Sequence, residues 1–299
     1  MSWAFFSAIP CTTKSLSSTV LGSTGILPFF TVIQNILLCL QNYEKRLHKI
    51  FSKNLFIGKK VVYLPKCHST NSVATQLAEI EHVNEGTVVI ADEQLAGRGQ
   101  RGNTWESEPG KNIMMSVVLK PTFLKPSQQF FLNIIVSIAV KKTLSEFGLE
   151  NVKVKWPNDI YAGNKKITGI LIESTLKGSM IETSVVGVGL NVNQLVFTSE
   201  KATSMALEMG KDLDKELVLE KLSRNIESLY LQLKGGASEK LQSDYLKSMI
   251  GWGERRLYRD KEETFEAEIL GVSALGKLRV ERGEGVKEYD LKEIEFLWE

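Results

Sequence analysis

Cysteine is scarce in this chain: Cys11, Cys39 and Cys67 are the only three in 299 residues, odd in number and far apart. That count argues against a disulfide framework and for a reducing, cytoplasmic setting. Histidine is equally sparse. His48, His68 and His82 have no metal-ligand spacing and no Cys-x-x-Cys occurs, so a structural zinc site is not expected. Charge of either sign is nearly balanced, at 37 Lys and Arg against 35 Asp and Glu, and a net +2 does not point to a nucleic-acid partner. The apolar run Ile26–Leu40 is broken by Gln34-Asn35 and is too short and too polar for a membrane span. The first twenty residues lack the basic, apolar and small-residue order of a signal peptide. No internal repeat or low-complexity tract is evident.

At 299 residues the chain should hold one large domain and one or two small ones. Residues 1–54 are acid-poor, with no carboxylate before Glu44, and rich in Ser and Thr. They read either as a poorly ordered extension or as sequence upstream of the native start; import into an organelle fits the composition but not the near-absence of arginine. The large domain is expected over 55–248 and a small β-domain over 249–299.

The distinctive stretch is Gly97-Arg98-Gly99-Gln100-Arg101-Gly102-Asn103-Thr104-Trp105. Glycines allow tight turns and close approach of backbone N–H groups to an anion, and arginine adds planar charged forks. Gly97-x-Gly99-x-x-Gly102 also matches the dinucleotide fingerprint, which requires a helix opening at the glycines and an acid about 20 residues on. Here the glycines run into the turn-rich segment Thr104–Gly110, and the next strand ends in Lys120-Pro121. The Rossmann reading fails on both counts. What remains is a glycine–arginine loop between two strands, suited to wrapping an anionic small molecule.

Taken in order, Lys60–Leu64 reads as a strand ending at Pro65, and Ser69-Thr70-Asn71 as caps for a helix over Ser72–Ile80. Gly86–Ala91 and Asn112–Lys120 read as strands flanking the glycine loop. Gln128–Glu146 reads as a long amphipathic helix packing Phe131, Ile134, Ile135, Ile138 and Val140 on a sheet, stopped by Gly148. Val152–Ile160 predicts a strand entering a proline turn, Asn164-Lys165-Lys166 a turn, and Ile167–Glu173 the returning strand. Glu182–Leu190 is another strand, followed by a polar, mobile loop at Gln194–Thr203. Helices are expected at Lys215–Leu233 and Glu239–Ile250. After Gly251, five short alternating strands suggest a small, partly closed β-barrel.

Single segments are weak signals, but their order is informative. Ser69-Thr70-Asn71, the Gly97–Gly102 loop with Trp105, Lys155-Trp156-Pro157-Asn158-Asp159, Lys165-Lys166-Ile167-Thr168-Gly169-Ile170-Leu171-Ile172-Glu173, Gly187-Val188-Gly189-Leu190-Asn191-Val192-Asn193 and Ala202-Thr203-Ser204-Met205 succeed one another. The set resembles the biotin–protein ligases, in the form without an N-terminal DNA-binding domain, from about Val61 to the C-terminus. The resemblance implies an α+β fold: a mixed β-sheet packed by helices, of the class II synthetase type, with a small C-terminal SH3-like β-barrel. It implies activation of biotin by ATP with Mg²⁺ to biotinyl-5′-AMP, then transfer to a lysine of a biotin carboxyl carrier domain. It leaves a homodimer open.

By the same resemblance Lys166, Arg98 and Arg101 carry catalysis, with Lys166 bridging the biotin carboxylate and the α-phosphate. Ser69, Thr70, Asn71 and Gln94 are implied for the ureido ring and its surroundings, with Gly97, Arg98, Gly99, Gln100, Lys166 and Gly169 also lining biotin. Arg98, Arg101, Trp105, Lys155, Asn158, Asp159 and Asn191 are implied on the adenylate side, and Asp159 as a ligand of nucleotide-borne Mg²⁺; no dedicated metal site is expected. The residues leave alternatives open: Lys166 as a solvated turn lysine, Trp105 as core, Lys155 as an ion-pair partner or a participant in the second step. Cys67-His68 stand where the family often has an acid. Phe29–Leu40 is too apolar to enter a DNA groove, so repression is not expected. Rival readings are a lipoate–protein ligase or octanoyltransferase of the same superfamily, a non-catalytic biotin or nucleotide sensor, and a metal-dependent hydrolase, for which no ligand cluster exists. The glycine loop is expected to be mobile and to close on the adenylate.

Overall fold

A computed structural model describes residues 46–80, 83–283 and 285–297, with the side chains of Ile80 and Arg101 outside that description. Residues 1–45 also lie outside it, and with them most of the expected extension. Residues 46–54 correct the rest of that expectation. Leu47, Ile50 and Phe51 are buried in the main core, and a buried Glu227 carboxylate accepts from the amides of Leu55, Phe56 and Ile57 at 2.6–2.8 Å. The folded unit therefore begins before residue 55. Its apolar side chains find a hydrophobic face and its amides an acceptor, which the local composition does not reveal.

The large unit is a seven-stranded sheet in the order β1-β2-β3-β7-β6-β5-β4. Its strands are β1 (Val61–Cys67), β2 (Val88–Gln94), β3 (Ile113–Leu119), β4 (Val152–Lys155), β5 (Asp159–Ala162), β6 (Lys165–Lys177) and β7 (Met180–Leu190). Only β1 and β2 run parallel, so the sheet is mixed as expected. β1 continues through Pro65 instead of ending there. It is an edge strand, where the missing proline N–H removes no ladder bond.

The two faces of the sheet are covered unequally. One carries α2 (Phe130–Glu146), α4 (Lys215–Lys234) and α5 (Ser238–Ser248), which with Met115, Val117, Ile170, Val186 and Val188 form the main core. α2 is not one-sided as its pattern predicted. Leu132, Ile135, Val136, Ala139, Val140 and Leu144 are all fully buried, because α4 and α5 cover the side turned away from the sheet. Among the described helices the other face carries only α1 (Thr70–Ile80), seated through Ala74 on Val89, Val118 and Val185. The glycine loop and the remaining open floor lie beside α1.

A short helix not expected from the sequence, α3 (Met205–Met209), follows β7 and is capped by Ser204, whose Oγ accepts from Leu207 N. The C-terminal unit is an antiparallel five-stranded sheet in the order β11-β10-β9-β8-β12, made by β8 (Arg255–Arg259), β9 (Thr264–Val272), β10 (Leu278–Arg282), β11 (Gly285–Tyr289) and β12 (Glu295–Phe296). The five expected strands are present. The expected barrel is not closed: β11 and β12 are the two edges of the sheet and share no ladder. Trp156 Nε1 donates to Gly276 O at 2.8 Å and joins this unit to the large one. Among the described residues no helix is long and apolar enough to cross a membrane.

Candidate active site

The open sheet floor is set by strand register. Gly169, Leu171 and Glu173 on β6 pair with Gly189, Gly187 and Val185 on β7, and Met114, Ser116 and Val118 on β3 continue the same face. Two glycines of β7 make the face receptive. A Cβ on Gly187 would lie 2.2 Å from Asn71 Oδ1, and one on Gly189 would lie 2.5 Å from the Trp105 ring. Between them is a cavity of about 200 Å³ lined by Ser69, Thr70, Asn71, Gln94, Arg98, Gly99, Gln100, Trp105, Lys155, Asn158, Asp159, Lys166 and Gly169. It is also lined by Met114, Trp156, Leu171, Gly187, Gly189 and, from the C-terminal unit, Leu291.

One end of the cavity is a web of polar groups at the start of α1, neutral except for the Glu173 carboxylate at its edge. Gln94 Oε1 accepts from Thr70 N at 2.7 Å and Thr70 Oγ1 at 3.1 Å, which turns Gln94 Nε2 toward Gly97. Ser116 Oγ lies 2.8 Å from Thr70 Oγ1 and 2.6 Å from Asn71 Oδ1. Asn71 Nδ2 donates to Leu171 O at 3.2 Å and to Glu173 Oε2 at 3.0 Å. Both amide hydrogens of Asn71 are thereby used by the protein, and what it can offer a ligand is acceptor capacity at Oδ1. Ser116 and Glu173 complete this end, and composition alone does not find them. Register does, since each points to the same face as Gly187.

The other end is charged and aromatic. Lys166 Nζ pairs with Asp159 Oδ1 at 2.8 Å and lies 5.8 Å from the centroid of the Trp105 ring. Lys166 is a strand residue, not the turn lysine expected, because the β5–β6 turn falls at Gly163-Asn164. Its main chain is clamped: Lys166 N donates to Lys201 O at 2.8 Å, and Thr203 N to Lys166 O at 2.9 Å. The segment expected to be a mobile loop is thus hydrogen-bonded to the strand that bears Lys166. Asn191 is placed behind this clamp. It is buried, donates to Thr203 O at 2.9 Å and does not line the cavity, so the adenylate contact implied for it is not where the structure puts its side chain. Lys155 Nζ sits over the rings of Tyr161 and Phe296 at 5.3 and 5.9 Å. The Asn158 amide donates to Ile170 O. The Trp105 indole N–H is buried and has no hydrogen-bond partner among the described residues.

Arg98 lines the same cavity as Lys166 but has a different ion-pair partner. Its guanidinium pairs with Glu173 and donates to Ser72 Oγ at 3.2 Å. Four residues of strand, roughly 13 Å, separate Glu173 from Gly169, against which the Lys166 chain lies. The glycine loop itself folds as a small hairpin: Gly99 N donates to Asn103 O at 2.7 Å and Trp105 N to Gly97 O at 2.9 Å. A Cβ on Gly97 would strike Trp105 O at 2.5 Å, which is why glycine is needed there. Among the described residues no group of three or more His, Cys, Asp or Glu side chains could hold a metal ion. The Cys67 thiol at the end of β1 is pushed up to about 11 by burial and is a poor nucleophile at neutral pH.

Residues 63–191 match the biotin/lipoate A/B protein ligase family. The chain is 30% identical over 249 residues to the bifunctional ligase/repressor BirA of Bacillus subtilis, covering 81% of this chain and 76% of that protein. The chain belongs to the biotin/lipoate A/B protein ligase family. It is also 29% identical over 180 residues to the biotin–[acetyl-CoA-carboxylase] ligase of Mycobacterium tuberculosis, spanning 57% of this chain and 64% of that one. Among solved structures it is similar to a biotin protein ligase from Aquifex aeolicus in complex with biotin and ATP. The TM-score is 0.66 at 29% identity, covering 79% of this chain and 98% of that chain. Within this ligase family the match includes the whole cavity floor from β1 to the end of β7, and stops short of the C-terminal sheet.

Proposed function

We propose that this chain is an ATP-dependent biotin–protein ligase. A biotin carboxylate oxygen attacks the α-phosphorus of ATP, pyrophosphate leaves, and biotinyl-5′-AMP forms. The amine of a carrier-domain lysine then attacks the acyl carbon and AMP leaves. The observation that carries this reading is the division of one cavity: neutral hydrogen-bonding groups braced by the Arg98–Glu173 pair at the α1 end, and a lysine–aspartate pair under an indole at the other. A cyclic urea needs fixed, uncharged donors and acceptors, while joining two anions needs a cation held in place before they arrive.

In this assignment Ser69, Thr70 and Gln94 with the Gly97–Gln100 backbone receive the ureido ring, and Asn71 orients them through Ser116. Lys166 neutralises the carboxylate and the α-phosphoryl oxygens. Its ion pair with Asp159, together with the nearby indole, keeps the ammonium aimed along the floor. Gly169 and Gly189 let the reacting groups and Trp105 approach the sheet backbone. Asn158, Asp159, Trp105 and Lys155 flank the nucleotide. Mg²⁺ enters as part of the nucleotide substrate, and the Asp159 carboxylate is a hard oxygen ligand suited to it. Arg101 keeps the phosphate role implied by the family resemblance. The acceptor is a biotin carboxyl carrier domain, with neither nucleic acid nor membrane involved; the protein works in the cytoplasm, and a homodimer is compatible with the fold.

The test is to mix the purified chain with ATP, Mg²⁺ and biotin, or with lipoate in parallel, follow acyl-adenylate by mass spectrometry, and then add an apo carrier domain. Biotinyl-AMP followed by a biotinylated lysine is expected. Lipoyl-AMP in its place moves the chain to the sister activity, and biotin binding without adenylate makes it a sensor.

A further inference from the structure

We propose that Glu173 is a positioning residue for the glycine loop: one carboxylate oxygen holds the Asn71 carboxamide on the cavity floor, and the other holds the Arg98 guanidinium. The inference rests on the ligase reading for the identity of the ligand, but not for the structural tie. Oε2 accepts from Asn71 Nδ2 at 3.0 Å while Oε1 pairs with Arg98. Register places Glu173 on the floor face, opposite Val185 and two residues beyond Leu171, whose carbonyl accepts the second Asn71 hydrogen. Arg98 has a further tether at Ser72 Oγ, 3.2 Å away on α1.

The consequence concerns backbone. With its guanidinium held outside the charged end, Arg98 serves as the anchor of the loop's first strand. The loop main chain at Gly97–Gln100 is then laid against Gln94 and the α1 end of the cavity. Both members of the pair are partly exposed, at 47% and 35% for Arg98 and Glu173, so the ion pair is a modest tether and not a permanent lock. A modest tether suits a loop that has to admit a ligand and then close on it. Glu173 touches neither Lys166 nor Asp159, so its effect should fall on binding and not on the chemical step.

Two readouts test this. The first is amide hydrogen exchange in the ligand-free full chain, at Gly99 and Trp105, whose N–H groups close the loop hairpin. Glu173→Gln keeps an acceptor for Asn71 but removes the charge from Arg98, so it should raise both exchange rates about fivefold. Arg98→Ala should do the same, and the double variant should add nothing further. The second readout is steady-state adenylation with equilibrium biotin binding. Glu173→Gln should raise the biotin Kd and KM about fivefold, with kcat within twofold of wild type. Glu173→Ala, which also frees Asn71, should weaken binding further; should it fail to fold, the glutamine and Arg98 variants still decide the matter. Wild-type exchange rates in Glu173→Gln, or a second fivefold rise in the double variant, would overturn the inference. Failure of the wild-type chain to bind biotin would instead sink the ligase reading, and the exchange readout would still decide the role of Glu173.

Discussion

Gly169 and Gly189 lie directly opposite one another on β6 and β7, and the Trp105 indole lies across both. One register step away on β7, Gly187 gives the same close approach to Asn71. Three missing Cβ atoms therefore shape the two halves of one cavity: the half under Trp105, to which the proposed function gives the nucleotide, and the half at Asn71, to which it gives biotin.

Those halves should separate under substitution. Gly187→Ala forces a methyl to 2.2 Å from Asn71 Oδ1 and should weaken biotin binding at least about tenfold, with the ATP KM little changed. Gly189→Ala displaces Trp105 and should do the reverse. Calorimetric titration of each ligand checks both. Equal losses for both ligands in both variants would argue against two functional halves.

Lys166→Ala should slow adenylate formation roughly 10²–10³-fold, the usual cost of losing a prepositioned charge at the reacting oxygens. Biotin affinity should stay within about threefold, because the hydroxyl and amide web at α1 is untouched. Single-turnover adenylation alongside equilibrium binding separates these effects. An unchanged adenylation rate would remove Lys166 from the chemistry.

Glu227 offers a stability test away from the site. Its buried carboxylate accepts from three successive amides, Leu55, Phe56 and Ile57. Glutamine keeps one acceptor and turns an NH₂ donor toward the remaining amides, so Glu227→Gln should cost about 2–3 kcal/mol in a urea titration. A loss under about half a kcal/mol would mean that water replaces the carboxylate without penalty.

The C-terminal sheet should respond to acid through Asp260. Burial works to raise its carboxyl, but the amides of Glu263 and Glu262, the Lys287 ammonium and the Tyr289 hydroxyl outweigh it and hold the group well below the usual carboxylate range. A depressed folded value stabilises the fold above the unfolded value near pH 4, and that contribution is lost as pH falls toward the folded one. Asp260→Asn should therefore lower Tm at pH 7, and the gap to wild type should close as pH drops below about 4. A gap independent of pH would point to packing instead of charge.

Much of this was legible in the chain. Strand and helix order and the glycine–arginine loop follow from local signals, because alternation, capping residues and glycine spacing are properties of neighbours in sequence; Lys166 stands out only through the resemblance carried by the ordered motifs. The misreadings share one cause. Pro65 did not end β1 because an edge strand lacks a partner on one side, and residues 46–54 belong to the core because α4 supplies their partners from about 170 positions away. α2 was read as one-sided because its second covering, α4 and α5, comes much later in the chain.

The site divides along the same line. The types of group present, two lysines, an arginine, two carboxylates, a set of amides and hydroxyls, and glycines at strand positions, were set by the sequence and limit the chemistry available. Their assignment to ends of the cavity was not. Arg98 and Lys166 look interchangeable as cations, yet one pairs with Glu173 on β6 and the other with Asp159 on β5. Asn191 looks like a ligand contact, yet it braces Thr203 behind Lys166. Such choices depend on which side chains share a face across paired strands, and pairing such as that of β3 with β7, between residues 65 to 77 positions apart, is a property of the folded sheet.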